Sequence, residues 1–203
     1  MNQDSTSNKL PKTARGQLTR EKLLRAAEIE FGEKGFHAVA IHDITRAAGV
    51  ALGTFYVYFD GKEEIYRALV TFMSHRTRSW IAERVANVPD RLTAERKGLE
   101  AFLEFVHEHK GLYRIISEAE FVANDAFVKH YREFALAYRE NLEKAGKRGD
   151  IRSGDYETWS WAIMGMAVFL GLRFAEWDDS EPPARVADII GDLIANGIGV
   201  QGK

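Results

Sequence analysis

The sequence predicts an all-α chain of about nine helices. Three observations carry this expectation. Apolar residues recur at three- and four-residue spacing in segment after segment. No strand-like alternation of useful length occurs. The four prolines, Pro11, Pro89, Pro182 and Pro183, fall at segment borders, where a residue without an N–H does least damage to a helix.

The first helix is predicted from Thr19 to Lys34, with the Thr19 hydroxyl capping a free backbone N–H. Leu23, Ala27 and Phe31 recur every four residues with Leu24 beside them, which gives one apolar face. Gly35 ends the helix in a left-handed conformation, and Phe36 folds back on the last turn. The second helix spans about Ile41 to Ala48, with Ile41, Ile44 and Ala48 inward and His42, Thr45 and Arg46 outward. Gly49 makes the turn. Val50, Phe55 and Phe59 pack a short third helix back onto this core. Its other faces carry Leu52, Gly53, Thr54, Tyr56, Val57 and Tyr58.

A fourth helix is expected from Lys62 to about Ala86, ended by Pro89 and roughly 37 Å long at 1.5 Å per residue. Next comes a helix from Thr93 to His109 that buries Leu99, Phe102, Leu103 and Val106. Leu112 to Phe121 and Asn124 to about Ala145 follow, the latter closed by Gly146 and Gly149. Asp155 to Trp177 is a long, strongly apolar helix. The last one follows Pro182-Pro183 with Val186, Ile189, Ile190, Leu193 and Ile194 on one side.

Residues 41–66 carry the most information. Two short helices joined through a glycine turn are a means of placing one helix in the DNA major groove. The hydroxylated and aromatic residues of the third helix suit phosphate hydrogen bonds and contact with thymine methyls. Lys62, at the start of the fourth helix, adds its charge to a helix N-terminus that favours phosphate. Outside such a setting Tyr56 and Tyr58 read as ordinary half-buried aromatics, and a solvated face explains His42 and Arg46 equally well.

The stretch resembles the helix-turn-helix of the TetR/AcrR family of bacterial transcriptional repressors, whose pattern runs roughly D-I-A-x-x-A-G-V-S-x-G-T-L-Y-x-H/Y-F-x-S-K-E. Asp43-Ile44, Ala48-Gly49-Val50, Gly53-Thr54-Phe55-Tyr56, Tyr58-Phe59 and Lys62-Glu63 match it. The resemblance implies DNA contacts, mostly to the backbone, from Thr54, Tyr56, Tyr58 and Lys62; Thr19, His42, Arg46, Leu52 and Gly53 complete the candidate DNA-facing set. The chain departs from the pattern at Ala40 and Ala51, where capping Thr and Ser are common, and at Thr45 and Gly61. Each lost cap costs about 1 kcal/mol. Asp60 and Glu63 have the spacing of a replacement capping box before the fourth helix.

The organisation expected is a disordered basic arm over 1–15, a helix-turn-helix DNA-binding domain over 16–61, and a ligand-binding and dimerisation domain over 62–203. The resemblance implies both roles of the last domain. Phe102, Phe105, His109, Tyr113, Phe127, Tyr131, Phe134, Tyr138 and Trp161 supply an aromatic-rich interior, readable as a pocket for an apolar or aromatic effector or as a packed core. Glu118 or Glu120 is a candidate polar anchor there, or part of a solvated helix face. Met166, Leu170 and Phe174, with Ile190, Leu193 and Ile194, are candidates for a two-fold, four-helix interface, because the 158–175 helix is apolar over more than one face. A dimer would read a palindromic operator in double-stranded DNA, its recognition helices about 34–36 Å apart.

The net charge of −2 hides an asymmetry: residues 1–84 hold 13 Lys/Arg against 10 Asp/Glu, and residues 85–203 hold 15 against 20. Lys9, Lys12, Arg15 and Arg20 face only Asp4 within the first 20 residues. A basic end on an acidic chain suits phosphate attraction at that end. With no cysteine, disulfides and thiol catalysis are excluded. The N-terminus shows no apolar signal region and no run of 18 apolar residues occurs, so a cytoplasmic protein without membrane association is expected. Glu104 and His107 have di-iron spacing but lack the second such pair that chemistry needs, and no G-x-S-x-G or Walker motif occurs. Neither an enzyme nor a cofactor is expected. The leading reading is a dimeric repressor released from DNA by its effector. The alternative is a helical ligand-binding or protein-interaction module without specific DNA readout, favoured by the missing caps and the near-neutral head.

Overall fold

The computed structural model describes residues 10–178 and 180–197, which form nine α-helices and one π-helical turn. Asp4 and Lys9 of the expected arm lie outside the described residues.

The first unit runs to Phe72 and also takes in Arg114–Phe127. Helix α1, Ala14–Lys34, begins five residues before the expected Thr19. Thr13 is its cap, with Oγ1 accepting the Gly16 N–H at 3.1 Å, while the Thr19 hydroxyl donates to the Arg15 carbonyl inside the helix at 3.0 Å. Thr13 is as good a cap as Thr19, and no proline lies between them, so the longer helix forms. Leu23, Leu24, Ala27 and Phe31 are buried as the spacing requires. Gly35 ends α1 at φ +80°, and the Phe36 ring lies against Phe31 at 5.8 Å.

Helix α2 is Ile41–Ala48 and α3 is Leu52–Tyr58. Gly49 joins them at φ +65°, its N–H shared between the Thr45 and Arg46 carbonyls. Ala40 and Ala51 give no side-chain cap, as their composition dictates. The Asp43 carboxylate compensates at α2 by accepting the Ala40 N–H at 3.0 Å. Thr45 is buried, against the outward position expected, and its hydroxyl returns to the His42 carbonyl. Phe55 and Phe59 close the core. Helix α4, Lys62–Val85, starts after Gly61; Glu64, not Glu63, accepts the Asp60 N–H there.

The helix α6, Leu112–Val122, contributes Ile115, Ile116 and Ala119 to this unit's core. Tyr66 of α4, buried between Phe31 and Phe36, donates its hydroxyl to the Ile115 carbonyl at 2.7 Å. The compact head unit incorporates the first part of α4 and most of α6.

The second unit holds Met73–Tyr113 and the described residues from Val128 onward. It is built on α5, Arg91–Glu108, capped by Asp90 through the Thr93 N–H at 2.9 Å. Leu99, Leu103, Phe105 and Val106 are buried, and Trp80 of α4 donates to the Ala101 carbonyl at 2.9 Å. Helix α7, Asn124–Arg148, runs through Gly146 and stops before Gly149 at φ +81°. Gly146 is there for space: a Cβ would stand 1.9 Å from the Tyr156 hydroxyl. Helix α8, Tyr156–Gly171, passes into a π-helical turn over Leu172–Trp177. Helix α9, Pro183–Asn196, packs on α5, where Arg96 meets Asp188 at 2.7 Å.

Candidate nucleic-acid interface

The head core fixes one face of α3 and leaves the others in solvent. Phe55 is fully buried, whereas Leu52, Tyr56 and Val57 are each about half exposed or more. Thr54 and Tyr58 are half-buried, and Gly53 has open space around it. The structure therefore brings Leu52, Gly53, Thr54, Tyr56 and Tyr58 together on one short helix, with Val57 beside them. Val57, outside the candidate set, is at least as exposed as Leu52 within it, and contact with a thymine methyl needs no polar group.

His42 and Arg46 stand exposed on α2. The Arg46 guanidinium donates to Asp43 Oδ1 at 2.6 Å and lies 3.2 Å from His42 Nε2. The Ala40 N–H, helped by the neighbouring charges of His42, Arg46 and Lys34, holds the Asp43 carboxyl below its ordinary pKa. An exposed pair of this kind is weak and can exchange for a phosphate.

Lys62 has a different place from the one its spacing implied. Its ammonium donates to the Phe36 carbonyl at 2.8 Å and the Val39 carbonyl at 2.9 Å, and sits 4.4 Å from the Phe36 ring centre. It ties the α1–α2 corner to α4, and two of its three donors are spent on the protein. Thr19 lies within α1, one turn beyond the helix start. Arg20 stacks over Phe59 at 5.2 Å, and burial lowers its pKa.

Glu118 lies in the head unit. Its carboxylate accepts the Phe36 N–H at 2.7 Å, across 82 residues of sequence, while Arg114 donates to the Glu33 carbonyl. Glu120 is exposed. Glu118 and Arg114 join α6 to the end of α1, Tyr66 joins α6 to α4, and Lys62 joins α4 to the α1–α2 corner. No sequence signal marks that contact, since Glu118 sits in an ordinary helical pattern.

The proposed pocket aromatics divide. Phe127 belongs to the head unit. Phe105 is buried against Trp80 and His109, and Arg76 donates to His109 Nε2 at 3.0 Å. Tyr113 donates to the Val168 carbonyl at 2.6 Å, and burial raises its pKa. Tyr138 is spent on the buried carboxylate of Glu95, which also holds Arg91 at 2.5 Å. Phe102, Tyr131 and Phe134 are half-buried on α5 and α7. Trp161 is a correction: it is 42% exposed on α8, with its indole N–H on Glu157 at 3.0 Å. An apolar helix has no polar face to show which residues turn inward. Of the interface candidates, Met166, Leu170, Phe174, Ile190, Leu193 and Ile194 are all half-buried.

A core-packed helix followed by a glycine turn and a short, outward-facing, tyrosine-bearing helix defines a helix-turn-helix DNA-binding head. Residues 23–69 match the model of the bacterial regulatory proteins of the tetR family. The chain is 30% identical over 186 residues to the uncharacterized HTH-type transcriptional regulator YdgC of Bacillus subtilis (strain 168), covering 89% of this chain and 93% of YdgC. The chain belongs to the tetR family and is a DNA-binding transcriptional regulator; its relatives are regulators, not enzymes. Its fold is that of the fatty acid degradation regulator FadR from Bacillus halodurans, with a TM-score of 0.78 at 18% identity over 93% of this chain and 98% of that one. The same holds for FadR from Bacillus subtilis in complex with stearoyl-CoA, with a TM-score of 0.76 at 18% identity over 88% and 99%.

Proposed function

We propose that the protein is a cytoplasmic, ligand-responsive repressor that binds a palindromic operator as a homodimer and leaves it when a small apolar or aromatic effector binds. The observation that carries the reading is the sharing of helices between the units: α4, α6 and α7 each contribute residues to both. The Glu118 and Tyr66 contacts tie the head segment of α6 to the α1–α2 corner. An effector that favours a different setting of α6 thereby acts on the orientation of α3 through bonded, continuous elements. In this reading residues 62–203 serve effector binding and dimerisation, although α4 and α6 also build the head.

Thr54, Tyr56 and Tyr58 take phosphate and base contacts, with Leu52 and Val57 against base methyls. The binding of stearoyl-CoA by a FadR of the same fold supports an apolar effector, held among Phe102, Tyr131 and Phe134. The second copy is assigned to α8 and α9. Residues 156–177 are long and apolar enough to cross a membrane, yet only 22% of their most apolar stretch is buried in one chain. Phe169 is 72% and Trp177 70% exposed. A DNA-binding regulator covers such a surface with a partner copy.

Selection of bound sequences from random double-stranded DNA at moderate salt tests the reading. A palindrome with half-sites about one helical turn apart is the expected product. Weak, salt-sensitive binding without sequence preference would replace it with a module lacking specific readout.

A further inference from the structure

Among the buried side-chain polar atoms of the second unit that lack a hydrogen-bond partner among the described residues are the Ser74 hydroxyl oxygen on α4 and His130 Nδ1 on α7. Ser74 is 1% exposed. Its neighbours on the same helix behave differently: the Thr71 and Thr77 hydroxyls fold back on the carbonyls of Arg67 and Met73. Ser74 does not make that bond, so its hydrogen-bonding capacity remains for another group. Buried polar groups are nearly always satisfied, so such an atom calls for a partner.

Arg78 connects the two helices that carry these atoms. It lies one helical turn beyond Ser74 on the same face of α4. Across on α7 it donates to Glu133 at 2.8 Å and stacks over Phe134 at 5.5 Å. His130 is one turn before Phe134, its ring 5.1 Å from that ring and 4.9 Å from Tyr131. Burial and the charge of Arg78 lower the His130 pKa to about 4, Glu133 opposing, so the imidazole is neutral near pH 7.

The chemistry of this corner is narrow. A hydroxyl and a neutral imidazole each donate or accept, and neither carries charge. Glu133 neutralises the Arg78 charge, so a buried carboxylate would add an uncompensated negative charge there and a buried ammonium an uncompensated positive one. Aromatic rings line one side.

We propose that Ser74 and His130 are the polar anchor of the effector site, holding the carbonyl or hydroxyl of an uncharged, largely apolar molecule against the Tyr131–Phe134 side of α7. This rests on the ligand-responsive reading above and names the class of effector that it leaves open.

The test uses the full chain with three probes of equal length: 2-decanone, 1-decanol and decanoate. Titration calorimetry at pH 7.5 gives their affinities, and ¹⁵N resonances of the labelled histidines report on the imidazole. Ketone and alcohol are expected to bind at least tenfold more tightly than decanoate and to move the His130 ring resonance. S74A and H130F are each expected to weaken ketone binding about tenfold. S74A removes one atom and keeps the fold, so it decides alone should H130F not fold. Unchanged ketone affinity in S74A, tighter binding of decanoate, or no binding of ketone or alcohol overturns the anchor. Operator selection by ligand-free wild type is scored separately: its failure removes the regulator reading, and an intact operator with unchanged probe affinities removes only the anchor.

Discussion

Helices α3 and α8 both show apolar side chains to solvent, and they do so for different ends. On α3 the exposed groups are few and mixed: Leu52, Tyr56 and Val57 on seven residues, with Thr54 and Tyr58 adjoining. On α8 and its π-helical extension the large ones are aromatic, Trp161, Phe169 and Trp177, with Glu157, Thr158 and Arg173 exposed beside them. A surface of modest area with hydroxyls suits DNA, whose grooves offer acceptors, donors and methyls in alternation. A long apolar surface suits a copy of itself, where no hydrogen bond has to be found. The difference separates a reading surface from an assembling one within a single all-α chain.

The largest effect expected from breaking this contrast comes from Phe169→Glu, which buries a carboxylate in the proposed interface. Dimerisation should weaken at least a hundredfold, about 3 kcal/mol or more. Sedimentation equilibrium checks it; an unchanged dimer would place the interface elsewhere. Operator affinity should fall with it while head stability holds.

The next effect, about 3 kcal/mol, concerns pH. The His130 pKa is about 4 in the folded chain and about 6.5 in the unfolded one. The unfolded state therefore binds more protons between those values, and stability present above pH 6.5 is lost as pH falls toward 4. Urea unfolding across that window should show a shallower slope against pH in H130Q than in wild type. Equal slopes would mean that His130 does not titrate differently on folding.

Gly35→Ala should cost about 1–3 kcal/mol, through strain at φ +80° and a Cβ placed 2.6 Å from Glu118 Oε1. A wild-type melting temperature would show that the corner yields freely. Tyr56→Phe has the smallest effect, about 1 kcal/mol in operator affinity with folding unchanged. Lys62→Ala differs from it in kind: since its ammonium holds the Phe36 and Val39 carbonyls, the substitution should lower stability as well as DNA affinity. Measured together, the pair separates a contact residue from a bracing one.

What the sequence revealed follows the range of the forces involved. The α2–turn–α3 unit was legible because its determinants are local: Gly49 for the turn, and Ile44, Phe55 and Phe59 for the core. The start of α1 was misplaced because Thr13 and Thr19 are equally good caps. Thr45 was read as outward because three apolar positions on eight residues do not define the width of a buried stripe. Trp161 was assigned to the interior because apolar periodicity fades where every face is apolar. The bond from Glu118 to the Phe36 amide spans 82 residues, and no pattern of spacing encodes it. Ser74 and His130 were passed over for a related reason: a buried polar group shows itself only by the partners it lacks, and those depend on a neighbouring helix.

The contribution of α6 to the head also sets a schedule for synthesis. The segment up to Phe72 leaves the ribosome well before Arg114–Phe127 does. At about 5–20 residues per second the delay is on the order of 3–10 s. During it the Phe36 amide, the Tyr66 hydroxyl and the apolar surface that Ile115 and Ile116 will cover remain without their native partners. A nascent head is thus left incomplete until a much later stretch of message has been translated, and the ability to read DNA arrives only with the helix proposed to control it.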